Sequence, residues 1–279
     1  MFSANADGLG KKITSLKHEL NETQSQIFTL QETQFRTKGR LKIKDFIIFE
    51  AIRKNKEKGG SMTGIHESLE PVLIEEYSDK FELLVVEIKV AGKEVRIING
   101  YGPQESWTNE EKMPFFVALE EEVSKARLEG KSIILELDAN SKLGNKYIKD
   151  DPHPISPNGI VLSGIIDRHA LIVANGLTQK CIGLITRKRS TVLGTEESII
   201  DFVCISSDMM DCLVSIQVDE NRNHVLTGFT KTKFGPKRHE SDHNSIVTKF
   251  NLRWKKIVKP VKVEVFNFNN KEGQKLFMK

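Results

Sequence analysis

The run FELLVVEIKVAGKEVRIINGY, followed by NEEKMPFFVALEEEVSKARLEG and KSIILEL, constrains the fold more than any other part of the chain. Its first half alternates and carries β-branched residues on both sides of Ala91-Gly92-Lys93, which predicts a hairpin ending at Tyr101. The next segment places Phe116, Leu119 and Val123 on one helical stripe, with Gly130 positioned to stop the helix. KSIILEL is a short apolar run suited to a buried strand. A hairpin, a helix and a strand in succession call for a sheet with a helix packed on its face.

The same grammar recurs elsewhere. KKITSLKHEL puts Ile13, Leu16 and Leu20 on one helical face, and IFTLQE reads as a strand ending at Glu32. GIVLSGIIDRHALIVANG reads as a helix running into a short strand, SIIDFVCIS as a strand with Asp201 in its middle, and SIVTKFNLRW as a closing strand. Alternation in both halves predicts an α/β fold: a four-layer α/β/β/α sandwich of two packed mixed sheets flanked by helices, over residues 1–253. A chain of 279 residues is long enough for so large a core. From about Lys255 the sequence turns Lys-rich and loses its period, so 254–279 reads as a basic linker or tail.

Cys181, Cys204 and Cys212 have no CxxC spacing, which argues against a disulfide framework and a zinc site and for a reducing, intracellular compartment. No apolar stretch approaches the roughly 18 residues of a membrane span. The net charge of +4 is a weak pointer to nucleic acid, and the placement of the basic residues says more. They gather at Arg187, Lys188 and Arg189, at Lys231, Lys233, Lys237 and Arg238, and at Arg253, Lys255 and Lys256, although a solvated loop explains any one cluster alone.

Polar residues stand where the apolar runs end: Asn5 and Asp7, Glu32, Tyr101, Asp138 and Asn140, Asp201, and Asp242 with His243. Turns and caps account for each singly. As a set they are mostly acids and amides with one His, at the strand ends where α/β folds hold ligands. Clustered carboxylates need a cation among them, and an oxygen-rich set points to Mg²⁺ or Mn²⁺ and thence to phosphate. Asp138 and Asn140, two residues apart, would share one strand face and bring an acceptor and a donor to one point.

Asn5-x-Asp7-Gly8-Leu9, Leu30-Gln31-Glu32-Thr33, Tyr101-x-Pro103, Asp138-x-Asn140, Ile200-Asp201-Phe202 and Ser241-Asp242-His243 occur in the order and rough spacing of the endonuclease/exonuclease/phosphatase superfamily, which the chain resembles from about residue 2 to 253. Tyr101 ahead of Gly-Pro looks like the apurinic-endonuclease branch. GGSMTGIHESL and VEVFNFNNKEGQKLF are similar to endonuclease domains of non-LTR (LINE-type) retrotransposons, the second to the segment leading toward their reverse transcriptase. Ala4 stands where relatives often carry Trp, Leu137 where they usually carry Gly, and Arg187 where an aromatic often follows Thr.

The resemblance implies a piece of a longer polyprotein, with a first strand shorter than the family's and a covalently linked reverse transcriptase. It implies a Mg²⁺-dependent endonuclease, with Mn²⁺ as a substitute, that nicks double-stranded chromosomal DNA in the nucleus. Glu32 and Asp7 would hold the metal, Asp138 would orient or deprotonate water, and Asn140 would donate to the phosphoryl oxygens. His243, held by Asp201, would contact the scissile phosphate, and either Asp138 or His243 would be the general base. Tyr101 would hydrogen-bond the phosphate or act as a phenolate, and Asp242 would touch a second metal or fix His243. Asn5, Arg187, Lys188, Arg189, Lys231, Lys233, Lys237 and Arg238 would meet DNA phosphates. A repair-type apurinic endonuclease or other phosphodiesterase, and an inactive DNA- or protein-binding module, are the alternative functions.

Overall fold

In the computed structural model, which describes residues 1–53, 58–192 and 194–252, the apolar runs become the strands of two large sheets. The first part of the chain forms β1 (Phe2–Asn5), α1 (Ile13–Glu22), β2 (Ile27–Gln31), β3 (Phe46–Ala51), β4 (Ser61–His66), β5 (Val72–Tyr77), β6 (Glu82–Val90), β7 (Lys93–Tyr101), α2 (Asn109–Leu128) and β8 (Ser132–Asp138). It continues through α3 (Pro157–Arg168), β9 (Leu171–Val173), β10 (Cys181–Ile182), β11 (Arg187–Thr191), β12 (Gly194–Ser198), β13 (Asp201–Ser206), β14 (Leu213–Val218), β15 (Thr227–Thr232), β16 (Gly235–Glu240) and β17 (Ile246–Phe250). Arg253, Lys255, Lys256 and the expected tail 254–279 lie outside the described residues.

A seven-stranded sheet runs β10-β14-β17-β1-β2-β4-β3 and a six-stranded sheet runs β5-β6-β7-β8-β13-β9. Both are mixed: β1 with β2, β10 with β14, and β7 with β8 are parallel. The pairs β11-β12 and β15-β16 are separate two-stranded ribbons. Among the described residues no helix is long and apolar enough to cross a membrane.

Strand alternation sorts the apolar side chains into the layers expected of the sandwich. Ile65, Val86, Ile97, Ile134, Val203 and Ile216 meet between the sheets. Phe115, Leu119 and Val123 of α2 and Leu162 and Ile165 of α3 pack on Val85, Ile98 and Leu135, outside the six-stranded sheet. Leu16 and Leu20 of α1 cover Phe2, Phe28 and Leu30, outside the seven-stranded sheet. The helices are fixed by local signals: Thr108 and Glu111 form a capping box at the start of α2, and Gly130, at φ 68°, ends it.

The face between the sheets changes character along its length. On β7 the inward series is Val95, Ile97, Asn99, Tyr101, and on β8 it is Ile134, Glu136, Asp138. Apolar packing therefore gives way to a polar seam at the strand ends. Gln31 Nε2 donates to Asn99 Oδ1 at 2.8 Å and Asn99 Nδ2 to the Met62 carbonyl at 2.9 Å, tying one sheet to the other just beneath the tips.

Candidate active site

Pairing register builds the first half of the site. Tyr101 pairs with Asp138 across the parallel β7–β8 ladder, and Asp201 pairs with Asp138 across the antiparallel β8–β13 ladder. Three polar side chains thus stand in one row on adjacent strands, about 4.8 Å apart. Asp201 opens β13 and does not lie mid-strand as its apolar flanks predict. The strand starts there because Thr186 Oγ1 accepts the N–H groups of Ile200 and Asp201, at 3.0 and 3.1 Å. Asn175 Nδ2 adds a 2.9 Å bond to the Asp201 carbonyl.

Two buried carboxylates side by side need a counter-charge, and His243, from the loop entering β17, supplies it. Its Nδ1 lies 3.0 and 2.9 Å from the two Asp201 oxygens, and its Nε2 is 3.8 Å from Asp138 Oδ2 and 3.8 Å from Asp242 Oδ1. Burial alone would lower the imidazole pKa, but Asp201 and Asp138 outweigh it and raise it to about 9. Burial pushes the Asp138 carboxyl up, His243 pulls it back and Asp201 adds to the rise, leaving it at about 7.

The other sheet closes the site. Asn5, at the end of β1, donates from Nδ2 to Asp138 Oδ2 at 2.7 Å, while its Oδ1 accepts the Asp7 N–H at 2.9 Å. Glu32 follows β2 at φ 48° and accepts a short hydrogen bond from the Tyr101 hydroxyl. Burial, then Asp138 and Glu32, drive the Tyr101 phenol far above its ordinary value, which favours the neutral hydroxyl. Gly59 and Gly60 hold the backbone after Glu32: their carbonyls accept from Gln34 and Thr33 at 2.9 and 3.0 Å. Gly60 in turn donates to Glu82 Oε1 at 2.9 Å, and Glu82 is buried in an ion pair with Arg53.

Asn140 reaches the site differently from its predicted same-face position. β8 ends at Asp138, and Asn140 turns back at φ 45° with its N–H 3.2 Å from Asp138 Oδ1 and its Nδ2 3.0 Å from the Gly102 carbonyl. Left-handed backbone suits Asn and brings its amide round beside the carboxylate. Gly102 allows the approach, because a Cβ there would lie 2.5 Å from the Ala139 carbonyl oxygen.

The site opens into a cleft of about 1280 Å³ whose walls include Asn5, Asp7, Glu32, Asn140, Arg187, Arg189, Asp242 and His243. Asp7 is exposed, and among the described residues its carboxylate receives a 3.3 Å contact from Gln34. Lys188 pairs with Glu197 at 3.1 Å, along the β11–β12 ribbon. Lys231, Lys233, Lys237 and Arg238 are exposed on the β15–β16 ribbon and do not line the cleft.

Among the described residues, the three acidic or imidazole groups that approach within 4.8 Å of one another are Asp138, Asp201 and His243, not Glu32, Asp7 and Asp242. Asp242 is held by Arg187 at 2.8 Å, which fits a role beside His243 better than a ligand in a closed cage. The imidazole lies between Asp138 and Asp201, a group that could itself hold a metal ion, and Glu32 and Asp7 on the cleft wall offer further carboxylate oxygens to a hard cation. Glu32 has one oxygen engaged by Tyr101, and Mg²⁺ commonly takes one or two carboxylates and completes its shell with water and phosphate. These residues fit such an ion.

No family model and no curated protein matches the sequence. Solved structures do. The endonuclease domain of TRAS1, a telomere-specific non-LTR retrotransposon, is similar with a TM-score of 0.64 at 17% identity, over 91% of this chain and 98% of that domain. The catalytic domain of APE2 from Xenopus laevis gives 0.67 at 14% identity, over 90% and 91% of the two chains. An endonuclease/exonuclease/phosphatase family protein from Leptotrichia buccalis C-1013-b gives 0.60 at 12%, over 89% and 98%. The chain has the endonuclease/exonuclease/phosphatase fold.

Within this fold, sequence patterns miss several residues that set the site. Thr186 and Asn175 fix the start of β13. Lys12 is buried beneath the Asp7 loop, donating to the Ala6 and Asp7 carbonyls at 2.7 and 3.1 Å. Burial lowers its pKa, against the pull of Asp7, Glu240, Asp242 and Glu32. Arg222 clamps the Ser-Asp-His loop through the Ser241 carbonyl at 2.5 Å and Asn244 Oδ1 at 3.1 Å. In sequence, Lys12 looks like any solvated residue before a helix, and no local pattern marks the others.

Proposed function

We propose that the chain is a Mg²⁺-dependent DNA endonuclease that hydrolyses a phosphodiester bond to nick duplex DNA. The observation that carries this reading is the assembly of Asp138, Asp201, His243 and Asn5 from both sheets beneath an open cleft walled by Glu32, Asp7 and Arg187. Asp138, at about 7, retains enough basicity to take a proton from water and enough acidity to be substantially ionised near neutral pH. Attack by that water forms the new P–O bond as the bond to the 3′ oxygen breaks.

His243 keeps its positive charge to about pH 9, so it serves as a donor from Nε2 toward a phosphoryl oxygen, with Asp201 fixing its orientation. The second hydrogen of the Asn140 amide adds an uncharged donor, and the neutral Tyr101 hydroxyl holds Glu32. Mg²⁺, or Mn²⁺ in its place, would be held by Glu32 and Asp7 and when bound supplies positive charge to the phosphoryl and leaving oxygens.

In the fuller reading the nick serves retrotransposition in the nucleus, with a reverse transcriptase on the same polyprotein. Likeness to the TRAS1 endonuclease domain along 98% of its length supports this. Repair cleavage at abasic sites is the competing reading, supported by likeness to the AP endonuclease LMAP from Leishmania major and by Tyr101-Gly102-Pro103. The test is conversion of supercoiled plasmid to open circles with Mg²⁺ and with EDTA, beside Asp138→Ala and His243→Ala proteins and an abasic duplex. Nicking by the unaltered chain alone, and only with metal, is the expected result. A folded but inert chain would overturn the enzyme, and cleavage of abasic duplex far faster than normal duplex would favour repair.

A further inference from the structure

The ribbon β15–β16 belongs to neither large sheet, and the chain leaves it for Asp242 and His243 on the cleft wall. Its root is anchored: Thr227 donates to Ser15 Oγ at 3.1 Å, and Gly228 packs so closely that a Cβ would lie 2.6 Å from the Lys11 carbonyl oxygen. Beyond that root, every residue from 231 to 238 is exposed. β16 runs directly into Ser241-Asp242-His243, so the base of the ribbon and the candidate catalytic loop are one continuous piece of chain.

Two aromatic rings on this ribbon face solvent. Phe229 is 63% exposed and Phe234, in the turn at the tip, is 90% exposed. Register places Phe229 opposite Arg238 and Lys231 opposite Pro236, so Phe229, Lys231 and Arg238 share a face. The Lys233 ammonium lies 5.0 Å over the Phe234 ring. Residues 227–239 contain no Asp or Glu. Arg238 pairs with Glu240 at the base of β16, but exposed phenyl rings flanked by Lys231, Lys233 and Lys237 suit a polyanion that also offers flat apolar faces: phosphate for the cations and bases for the rings.

We propose that β15–β16 is an arm that grips the phosphates of the DNA on one flank of the scissile bond and seats Phe234 between neighbouring bases. This rests on the nuclease reading and adds to it a class of preferred substrate. From Glu240 to Gly235 the strand extends about 17 Å, or some five base pairs at about 3.4 Å each. The arm therefore selects duplexes that unstack easily at about that distance from the cut: a mismatch, or a flexible pyrimidine–purine step.

The test uses the full chain and duplexes carrying 2-aminopurine at successive positions on either side of a nick site, with binding measured in EDTA so that cleavage plays no part. The expected result is a fluorescence rise, reporting unstacking, confined to positions on one flank. Phe234→Ala should abolish it and weaken binding to a mismatched duplex about tenfold, while Phe234→Trp retains both. Lys231→Gln with Lys237→Gln should lower the salt dependence of binding by about two phosphate contacts. If Phe234→Ala binds and unstacks DNA as the unaltered chain does, insertion is refuted, even where the Lys variants weaken binding. Plasmid nicking separates the two readings, since intact nicking with no effect of Phe234→Ala sinks the arm alone, whereas a chain that neither binds nor nicks DNA sinks both.

Discussion

Asp201→Asn isolates the charge that holds His243 positive. The asparagine keeps an oxygen acceptor for Nδ1, now 2.9–3.0 Å away, but removes the neighbouring negative charge that most raises the imidazole pKa. Asp138 remains, at 3.8 Å from Nε2, against a burial that favours the neutral ring. The His243 midpoint should therefore fall from about 9 to near or below its ordinary 6.5. Linkage turns this into stability: the folded-state pKa lies above the unfolded one, so the gain is complete below 6.5 and is lost as pH rises through 9. At 1.36 kcal/mol per pKa unit the full contribution is about 3 kcal/mol.

Asp138 works in the same sense but in a lower window, because its raised carboxyl costs stability as pH climbs from 3.8 to about 7. The His243 contribution is thus read above pH 7. Urea unfolding at pH 7 and at pH 9.5 should show the unaltered chain losing up to about 3 kcal/mol across that window and Asp201→Asn losing little of it. Imidazole NMR supplies the midpoint directly, and nicking at pH 7.5 should fall at least a hundredfold as the charged donor becomes neutral, by about 3 kcal/mol of transition-state stabilisation. A His243 midpoint unchanged in the variant would refute the reasoning, as would a stability curve flat from pH 7 to 9.5 in the unaltered chain.

Other substitutions test other joints of the site. Gly102→Ala forces a Cβ to 2.5 Å from the Ala139 carbonyl oxygen and should cost about 1–3 kcal/mol in urea unfolding, along with most nicking activity. Glu82→Gln leaves Arg53 buried without its anion and should cost about 3–5 kcal/mol, visible as a lowered unfolding midpoint; a loss near zero would mean the pair is not shielded from water. Tyr101→Phe frees the Glu32 carboxylate from its donor and should raise the Mg²⁺ concentration for half-maximal nicking about tenfold, with little change in melting temperature. An unchanged metal requirement there would separate Glu32 from metal binding.

What could be read from the sequence, and what could not, follows burial. β6, β7, α2 and β8 carry long patterns of period 2 or 3.6 because each presents a face to a large core, and they fold as their periodicity predicts. β11, β12, β15 and β16 read RKRST, GTEES, TGFTKT and GPKRHE and bury almost nothing, so no alternation marks them as strands. The strand-end residues stand out by chemical type, but their geometry comes from elsewhere. Thr186, fifteen residues before Asp201, decides where β13 begins. A left-handed turn, and not strand pleat, brings Asn140 to Asp138. Asp242 stands in the sequence as a contact for a second metal or a partner of His243, and the structure adds Arg187 beside it, from a ribbon that no alternation marks.

The site is divided between two sheets, and this explains the polar seam beneath it. Apolar packing is non-directional, and two β-sheets held by Ile and Val alone leave their relative register poorly defined. Asn5 to Asp138, Glu32 to Tyr101 and Gln31 to Asn99 each join a residue of the seven-stranded sheet, or of the loop leaving it, to one of the six-stranded sheet. Directional bonds of this kind are worth little net stability against an apolar filling of the same space, but they are costly to half-break. Their effect is to fix one alignment of the sheets. Because Asp138 and His243 approach from opposite sheets, that alignment sets the distance between the proposed base and the proposed charged donor, so on that reading the seam under the cleft positions the chemistry as directly as the residues that face it.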